Sequence, residues 1–292
     1  MTPLDYEFLR KLLKERSGLD LSPDKQYLVE SRLVPLARKA GLTGITELAQ
    51  KMKAGGAEAL TAEVVEAMTT NETFFFRDKL PFDHLREAML PAVLQARSAR
   101  RALRIWCAAS STGQEPYSIA MCLKALGPAI AGWRVEILAT DLSQGVLEKS
   151  KAGIFSQFEV QRGLPIQMLV KHFTQVGDMW QLNPDIRAMV QHRQLNLLQD
   201  FGHLGMFDVI FCRNVLIYFD QDTKANIFER LSKVLEPDGF MVLGAAESVV
   251  GISDAFKPHP DRRGLYRPNA VRAGKPSFAG AMPLKVAAVA AR

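Results

Sequence analysis

The sequence lacks any long apolar segment. No stretch of about 18 apolar residues, the length that crosses a bilayer, occurs in the 292-residue chain. The opening segment, MTPLDYEFLRKLLKER, carries charges where a secretory signal peptide has an apolar run. With 48% hydrophobic residues, the chain nevertheless has enough apolar side chains for a substantial core. We therefore expect a cytoplasmic protein that does not insert into a membrane.

Cysteine is also scarce, and its spacing argues against two kinds of chemistry. The three cysteines, Cys107, Cys122 and Cys212, form no CxxC pair and have no histidine at a metal-binding spacing. The sequence therefore predicts neither a disulfide framework nor a metal site. We expect the thiols to be reduced and buried as small apolar side chains. Because Cys107 and Cys212 lie near the ends of predicted strands, lining a pocket is the alternative for these two residues.

The net charge of +6 is concentrated at the C-terminal end of the chain. Residues 257–292 contain eight Lys or Arg and one acid, so residues 1–256 together carry a charge of −1. A groove that follows a nucleic-acid backbone needs basic residues in the body of the protein. We therefore expect no nucleic-acid partner.

Helical periodicity dominates the first part of the chain. Apolar residues recur at helical spacing over residues 1–70, with breaks at glycine and proline, which predicts a small all-helical N-terminal domain. Residues 71–102 are predicted to form a linker and a connecting helix, interrupted at Pro81 and Pro91. Three consecutive phenylalanines, residues 74–76, are predicted to be core at the domain junction, with base stacking as the alternative.

From residue 103 onward, short apolar runs alternate with helical stretches. Strands are predicted at 103–108, 134–140, 207–213 and 239–245, and helices at 114–126, 143–151 and 221–235. This alternation predicts a doubly wound, Rossmann-like α/β domain over residues 103–269. Residues 270–292 are rich in Ala, Gly and Pro and are predicted to form a flexible tail.

A long connection, residues 152–206, separates the second and third predicted strands. Loops of this length inside a domain usually hold an insertion with a function of its own. We expect a helix near 165–173 and a small antiparallel set of strands over 174–195.

Polar or small residues follow three of the predicted strands. The small residues from Ala108 to Gly113 lie between the first strand and a helix, so the backbone can approach a ligand closely there. The second strand ends at Asp141, where such folds often place a carboxylate against ribose hydroxyls; capping the next helix is its alternative role. Arg213 and Asn214 end the third strand. Together these positions predict a nucleotide-binding pocket at the carboxyl edge of the sheet.

Five segments of the sequence have unusual combinations of residues that identify a family more specifically. They are NETFFFRD (71–78), WCAASSTGQEPYSIA (106–120), ATDLS (139–143), NLL (196–198) and FDVIFCRNVLIYF (207–219). In this order they resemble the motifs of the CheR-type chemotaxis methyltransferase family, and the similarity covers nearly the whole chain. Gln114 departs from the pattern, since many members carry an acid there.

The resemblance implies an enzyme of a defined class. It would be an S-adenosyl-L-methionine-dependent protein-glutamate O-methyltransferase that forms glutamate methyl esters in chemotactic adaptation and releases S-adenosyl-L-homocysteine. Its substrate would be the cytoplasmic helical domain of chemoreceptors, the methyl-accepting chemotaxis proteins. The fold implied is a methyltransferase sheet with a helical N-terminal domain and a small antiparallel β insertion.

The resemblance also implies individual roles. The cofactor-binding residues would be Asn71, Thr73, Arg77, Glu115, Asp141, Asn196, Leu197, Arg213 and Asn214. Tyr218 would be the catalytic residue near the reacting methyl group, where an aromatic face can attract a positive sulfonium; plain packing is its alternative. Arg77 presents a planar fork suited to a carboxylate, and a surface ion pair with Asp78 is its alternative.

The implied chemistry needs no general base, because a glutamate carboxyl with a pKa of about 4.3 is already ionised at neutral pH. Two other functions stay open at this point. One is a methyltransferase of related fold that acts on nucleic acid or a small molecule. The other is a non-catalytic cofactor-binding scaffold.

The loop length in the predicted β insertion indicates how the protein docks on its receptor. Some members of the family bind a peptide at the receptor C-terminus through a longer loop, whereas FTQVGDMWQLN allows only a tight turn at Gly177-Asp178. We therefore expect no requirement for this C-terminal pentapeptide. Docking is expected through basic side chains of the N-terminal domain, Arg32, Arg38 and Lys39, for which an ordinary solvated helix face is the alternative.

Overall fold

The N-terminal part of the chain is helical, as predicted. The computed structural model describes residues 1–269, so the predicted tail over 270–292 lies outside the described residues. Four helices pack together: α1 (Pro3–Ser17), α2 (Gln26–Lys39), α3 (Ile45–Lys53) and α4 (Glu58–Met68). The α1 helix begins at a capping box, in which the Thr2 hydroxyl accepts the Asp5 N–H and the Asp5 carboxylate accepts the Thr2 N–H. Leu9, Leu33 and Leu48 are fully buried in the core between these helices.

The remaining helices and strands follow in chain order. The helices are α5 (Leu80–His84), α6 (Leu90–Ala96), α7 (Gln114–Lys124), α8 (Gln144–Ala152), α9 (Gln157–Gln161), α10 (Ile166–His172), α11 (Pro184–Arg187) and α12 (Gln221–Lys233). The strands are β1 (Ala102–Ala108), β2 (Arg134–Asp141), β3 (Ile154–Ser156), β4 (Phe173–Val176), β5 (Met179–Leu182), β6 (Val190–Gln194), β7 (Phe207–Cys212), β8 (Leu235–Leu243), β9 (Phe256–Pro258) and β10 (Leu265–Pro268). A π-helical turn over Leu85–Met89 joins α5 directly to α6, so Pro81 and Pro91 each fall at the start of a helical segment.

Seven strands form the main sheet, in the order β6-β2-β1-β7-β8-β10-β9. The first five are parallel, whereas β10 runs antiparallel to both of its neighbours. Helices cover both faces. Cys107 packs with Ile119 of α7 on one face, and its neighbour Trp106 packs with Ile227 of α12 on the other. The predicted doubly wound α/β fold is confirmed.

A separate three-stranded antiparallel sheet, β3-β5-β4, lies in the connection between β2 and β6. The helix expected near 165–173 is α10. The antiparallel set expected over 174–195 is wrong in its second half, because β6 pairs in parallel with β2 at the edge of the main sheet. In β6 Val190 is buried and Gln191 exposed, so this edge strand has the same half-buried alternation as a hairpin strand.

The insertion is anchored to the main core by aromatic side chains. Phe75 is fully buried, with ring centroids 5.0 Å from Phe155 and 5.6 Å from Phe173. The prediction of junction core therefore holds for Phe75 and for the buried Phe76. Phe74 differs, because the Arg162 guanidinium lies 4.4 Å from its ring centroid.

One glycine tests how closely the insertion packs on this junction. At Gly163 (φ +85°), a Cβ would lie 2.1 Å from the Phe75 carbonyl oxygen, whereas at Gly177 (φ +59°) a Cβ would meet nothing within 4 Å. Both alanine variants carry the left-handed backbone strain, and only Gly163→Ala adds the clash. We expect Gly163→Ala to lower the free energy of unfolding by about 2–5 kcal/mol, and Gly177→Ala by about 1 kcal/mol. Urea denaturation measures both, and equal losses would contradict this packing.

Candidate active site

A single cavity at the carboxyl edge of the main sheet brings together every site residue that the sequence singles out. Its wall combines loops at the carboxyl ends of β1, β2 and β7 with residues of the helical N-terminal domain. The predicted residues on its wall are Asn71, Thr73, Arg77, Glu115, Asp141, Asn196, Leu197, Arg213, Asn214 and Tyr218. Their individual roles toward a ligand stay predictions.

Asp141 ends β2 with a carboxylate that is buried but only partly engaged. One oxygen accepts the Ser111 N–H at 2.8 Å and the other accepts the Ser143 N–H at 3.0 Å. Burial raises the pKa of Asp141 above its ordinary value. The N-cap of α8 is Ser143 and not Asp141, since the Ser143 hydroxyl accepts the Val146 N–H. The Ser111 and Ser143 N–H groups do not fill the roughly four acceptor positions of a carboxylate, so Asp141 can receive a ligand hydroxyl.

The loop after β1 adopts an unusual backbone conformation. Ala109 (φ 87°) and Ser111 (φ 50°) lie in the left-handed region, which costs about 1–2 kcal/mol for a residue with a Cβ. The N–H groups of Ala109 and Ser110 both donate to the Thr140 carbonyl, at 2.9 and 2.8 Å. The Ser111 hydroxyl donates to the Asn71 carbonyl at 2.8 Å. These bonds hold the loop and the segment that begins at Asn71 against the same end of the sheet.

A buried arginine connects three parts of the cavity wall. From the end of β7, Arg213 donates to Glu115 on α7 at 2.7 Å and to Asp78 at 2.7 Å. It also donates to the Arg77 carbonyl at 2.9 Å, and its side chain is only 1% exposed. Burial raises the pKa of Glu115, while the Arg213 charge acts in the opposite direction.

The Nε–H of Arg213 is buried and has no hydrogen-bond partner within residues 1–269. An unpaired buried donor is rare in folded proteins. Arg77 and Arg213 both line the cavity, so its wall carries positive charge that suits an anionic ligand. The residues present therefore fit a cofactor that carries a carboxylate and ribose hydroxyls.

Arg77 lies on the same wall, and its predicted alternative is wrong. Asp78 pairs with Arg213, whereas Arg77 donates to the Glu72 carbonyl at 2.8 Å. The Arg77 guanidinium also lies 5.6 Å from the centroid of the Phe74 ring. Because a guanidinium has five donors, most of its N–H groups remain for a ligand.

The helical N-terminal domain forms part of the cavity, which the sequence did not predict. Ser17 and Leu19 lie on the wall. The Asp20 N–H donates to the Tyr218 carbonyl at 2.9 Å, and the side-chain amide of Asn196 donates to the Arg16 carbonyl at 2.7 Å. Asn196 thus holds the two domains together, and its contact with a ligand stays a prediction. These contacts span long sequence distances, and no local pattern signals them.

Cys107 and Cys212 are buried in the core and do not line the cavity. The pocket alternative for them is therefore wrong, and the same burial raises the pKa of both thiols. Across the described part of the chain, no cluster of His, Cys, Asp and Glu is arranged to hold a metal ion. None of the helices within it has the length and apolarity needed to span a bilayer.

Comparison with known proteins gives consistent matches over both domains. Residues 71–265 match the family described as "CheR methyltransferase, SAM binding domain", and residues 4–69 match "CheR methyltransferase, all-alpha domain". Chemotaxis protein methyltransferase 1 of Pseudomonas aeruginosa is 42% identical over 261 residues, which cover 87% of this chain and 93% of that protein. Chemotaxis protein methyltransferase Cher2 of Pseudomonas putida is 40% identical over 258 residues, covering 87% and 94%. The chemotaxis protein methyltransferase of Vibrio anguillarum is also 40% identical, over 256 residues, covering 87% and 92%.

The Asp141 carboxylate provides the most direct test of ligand binding in this cavity. We expect Asp141→Ala to weaken S-adenosylmethionine binding by about tenfold or more, because ribose hydroxyls that lose a charged acceptor stay unpaired. Calorimetry measures the affinity, and Asp185→Ala serves as a control that removes a surface carboxylate paired with Lys124. If folded Asp141→Ala binds as tightly as the control, the ribose prediction is wrong.

Proposed function

Because this chain belongs to the CheR family of chemotaxis methyltransferases, and thus uses S-adenosylmethionine as methyl donor in chemotaxis, we propose that it esterifies glutamate side chains of chemoreceptors. The acceptor would be a carboxylate on the cytoplasmic helical domain of the receptor, and the reaction would take place in the cytoplasm. The observation that carries the proposal is the cavity wall itself. Arg77, Arg213 and Asp141 all line the same cavity.

The acceptor chemistry is consistent with this wall. A glutamate carboxyl with a pKa of about 4.3 is ionised at neutral pH, so transfer to it needs no base to remove a proton. The task of the protein is to align the acceptor oxygen with the methyl carbon and to exclude water from both. Packing of the N-terminal domain over the cavity at Ser17 and Leu19 supports the exclusion of water.

When bound, S-adenosylmethionine supplies a methyl group carried by a positively charged sulfur. Arg77 would bind its carboxylate beside the positive charge of Arg213, while Asp141 would accept the ribose hydroxyls. Tyr218 lies on the wall in the turn after β7, half-buried, and would present its ring toward the methyl group. These groups bind and orient; none of them needs to change its charge during transfer.

The product distinguishes this proposal from methylation of a base or an amine. We expect label transferred from the cofactor's methyl group to a receptor-containing membrane fraction to be released as methanol by mild alkali, because carboxyl esters hydrolyse under these conditions. An Arg213→Lys variant should transfer far less label, since an ammonium cannot bridge Glu115 and Asp78 in one plane. Label that resists alkali would contradict glutamate esterification and favour a nucleic-acid or amine acceptor.

For receptor docking, the three basic side chains predicted to form the docking face differ in their surroundings. Arg32 donates to the carbonyls of Met68 and Thr69 at 2.7 and 2.9 Å, so it supports the segment that lines the cavity. Arg38 and Lys39 are exposed at the end of α2. We propose that these two residues meet acidic receptor helices. In the insertion, Gly177-Asp178 alone joins β4 to β5, which supports docking without the C-terminal pentapeptide.

Charge removal tests this docking face. We expect the Arg38→Ala/Lys39→Ala double variant to raise the KM for receptor about two- to tenfold, because exposed charge pairs contribute about 0.2–1 kcal/mol each. The effect should shrink as salt rises. Lys11→Ala/Lys51→Ala removes the same charge from α1 and α3 and is the matched control.

The same assay, repeated on a receptor that lacks its C-terminal peptide, completes the test. Activity on this receptor should be unchanged. Loss of activity on peptide removal, with no effect of the Arg38/Lys39 double variant, would contradict the docking proposal.

A further inference from the structure

The turn that carries Asn214 and Tyr218 is held by one carboxylate that lies outside the cavity wall. We propose that Glu247 is a positioning residue, which locks the turn after β7 to the turn after β8 and so holds Asn214 and Tyr218 at the reacting centre. The catalytic consequence rests on the function proposed above. The anchoring itself is independent of that function.

Glu247 accepts four backbone N–H groups. One carboxylate oxygen receives the N–H groups of Asn214 at 2.8 Å and Gly244 at 2.7 Å. The other receives those of Val215 at 3.0 Å and Leu216 at 2.8 Å. Three successive N–H groups thus converge on a single anion, the arrangement by which backbone turns bind negative charge.

The turn needs such an anchor because its conformation is unfavourable by itself. Asn214 has φ 58°, in the left-handed region, and Leu216 is buried. Without the carboxylate, these N–H groups would lose their charged partner, and hydrogen bonds to charged groups are among the stronger ones in proteins. Asn214 also packs closely on the turn after β8: its Nδ2 lies 2.8 Å from the point where a Cβ on Gly244 would stand.

The bonding pattern argues against a role for Glu247 as a general base. A carboxylate has about four acceptor positions, and four N–H donors already occupy this one. Asn214, Val215 and Tyr218 line the cofactor cavity, whereas Glu247 is not part of that wall. Glu247 therefore acts through the residues of the turn and not on a ligand.

Glu247→Gln removes part of the anchor with little change in shape. The amide keeps one acceptor oxygen but places an NH₂ group where two N–H groups point. We expect kcat for receptor methylation to fall about ten- to a hundredfold, and the dissociation constant for S-adenosylhomocysteine to rise about three- to tenfold, because Asn214 and Val215 line the cofactor cavity. Hydrogen exchange at residues 214–216 and 244 should accelerate about tenfold or more, while exchange in β1 stays unchanged.

Two further variants make the test specific. Glu247→Asp retains the charge and both oxygens on a shorter side chain, so its kcat should lie between those of wild type and Glu247→Gln. Glu159→Gln is the matched control, because Glu159 also accepts a backbone N–H, from Ser156 at 2.8 Å, at a place that does not line the cavity. It should leave kcat unchanged.

The outcomes separate the anchor from the proposed function. Unchanged exchange at residues 214–216 in Glu247→Gln, or a kcat no lower than that of Glu159→Gln, would overturn the positioning role. If Glu247→Gln does not fold, hydrogen exchange at residues 214–216 and kcat are measured on Glu247→Asp, and the same outcomes decide. If the wild-type protein esterifies no receptor glutamate, the proposed function fails. The anchoring role of Glu247 can still be tested then, by hydrogen exchange and by the affinity for S-adenosylhomocysteine.

Discussion

The site depends on one buried guanidinium. Arg213 is almost fully shielded from water and holds Glu115, Asp78 and the Arg77 carbonyl together. It thereby joins the end of β7 to the start of α7 and to the segment before α5. Removing one partner of such a buried pair typically costs about 3–5 kcal/mol, because the other charge stays uncompensated. The Nε–H of Arg213 is buried as well and has no hydrogen-bond partner within residues 1–269.

A second level of organisation comes from the N-terminal domain, which contributes to the cavity as well as covering it. Glu66 on α4 accepts the Ser143 hydroxyl at 2.7 Å and the Gly145 N–H at 2.9 Å, at the start of the helix that follows Asp141. Arg32 supports the Met68–Thr69 segment from α2. The helical domain thus fixes loops on the Asp141 side of the cavity, so a variant in this domain can change the cavity wall.

Much of the fold could be predicted from the sequence, because the local hydrophobic patterns of the main sheet agree with the structure that it forms. The strands β1, β2 and β7 are short apolar runs followed by small or polar residues, and their shared direction brings Asp141 and Arg213 to one edge. The edge strand β6 was placed in the wrong sheet, because alternation of buried and exposed residues does not identify a pairing partner. The contacts of Arg32 with Met68 and Thr69, and the role of Glu247, could not be predicted for a related reason. Both partners of Arg32 and three of the four partners of Glu247 are backbone groups more than thirty residues away, and no sequence pattern records them.

The central claim is that this cavity binds S-adenosylmethionine through the Asp141 carboxylate and the side chains of Arg77 and Arg213. A crystal structure of the protein with S-adenosylhomocysteine tests it most directly. The account predicts ribose hydroxyls within hydrogen-bond distance of the Asp141 carboxylate, and a ligand carboxylate that receives hydrogen bonds from Arg77 or from the Nε–H of Arg213. A ligand bound elsewhere, or one that contacts neither Asp141 nor either of the two arginines, would contradict it.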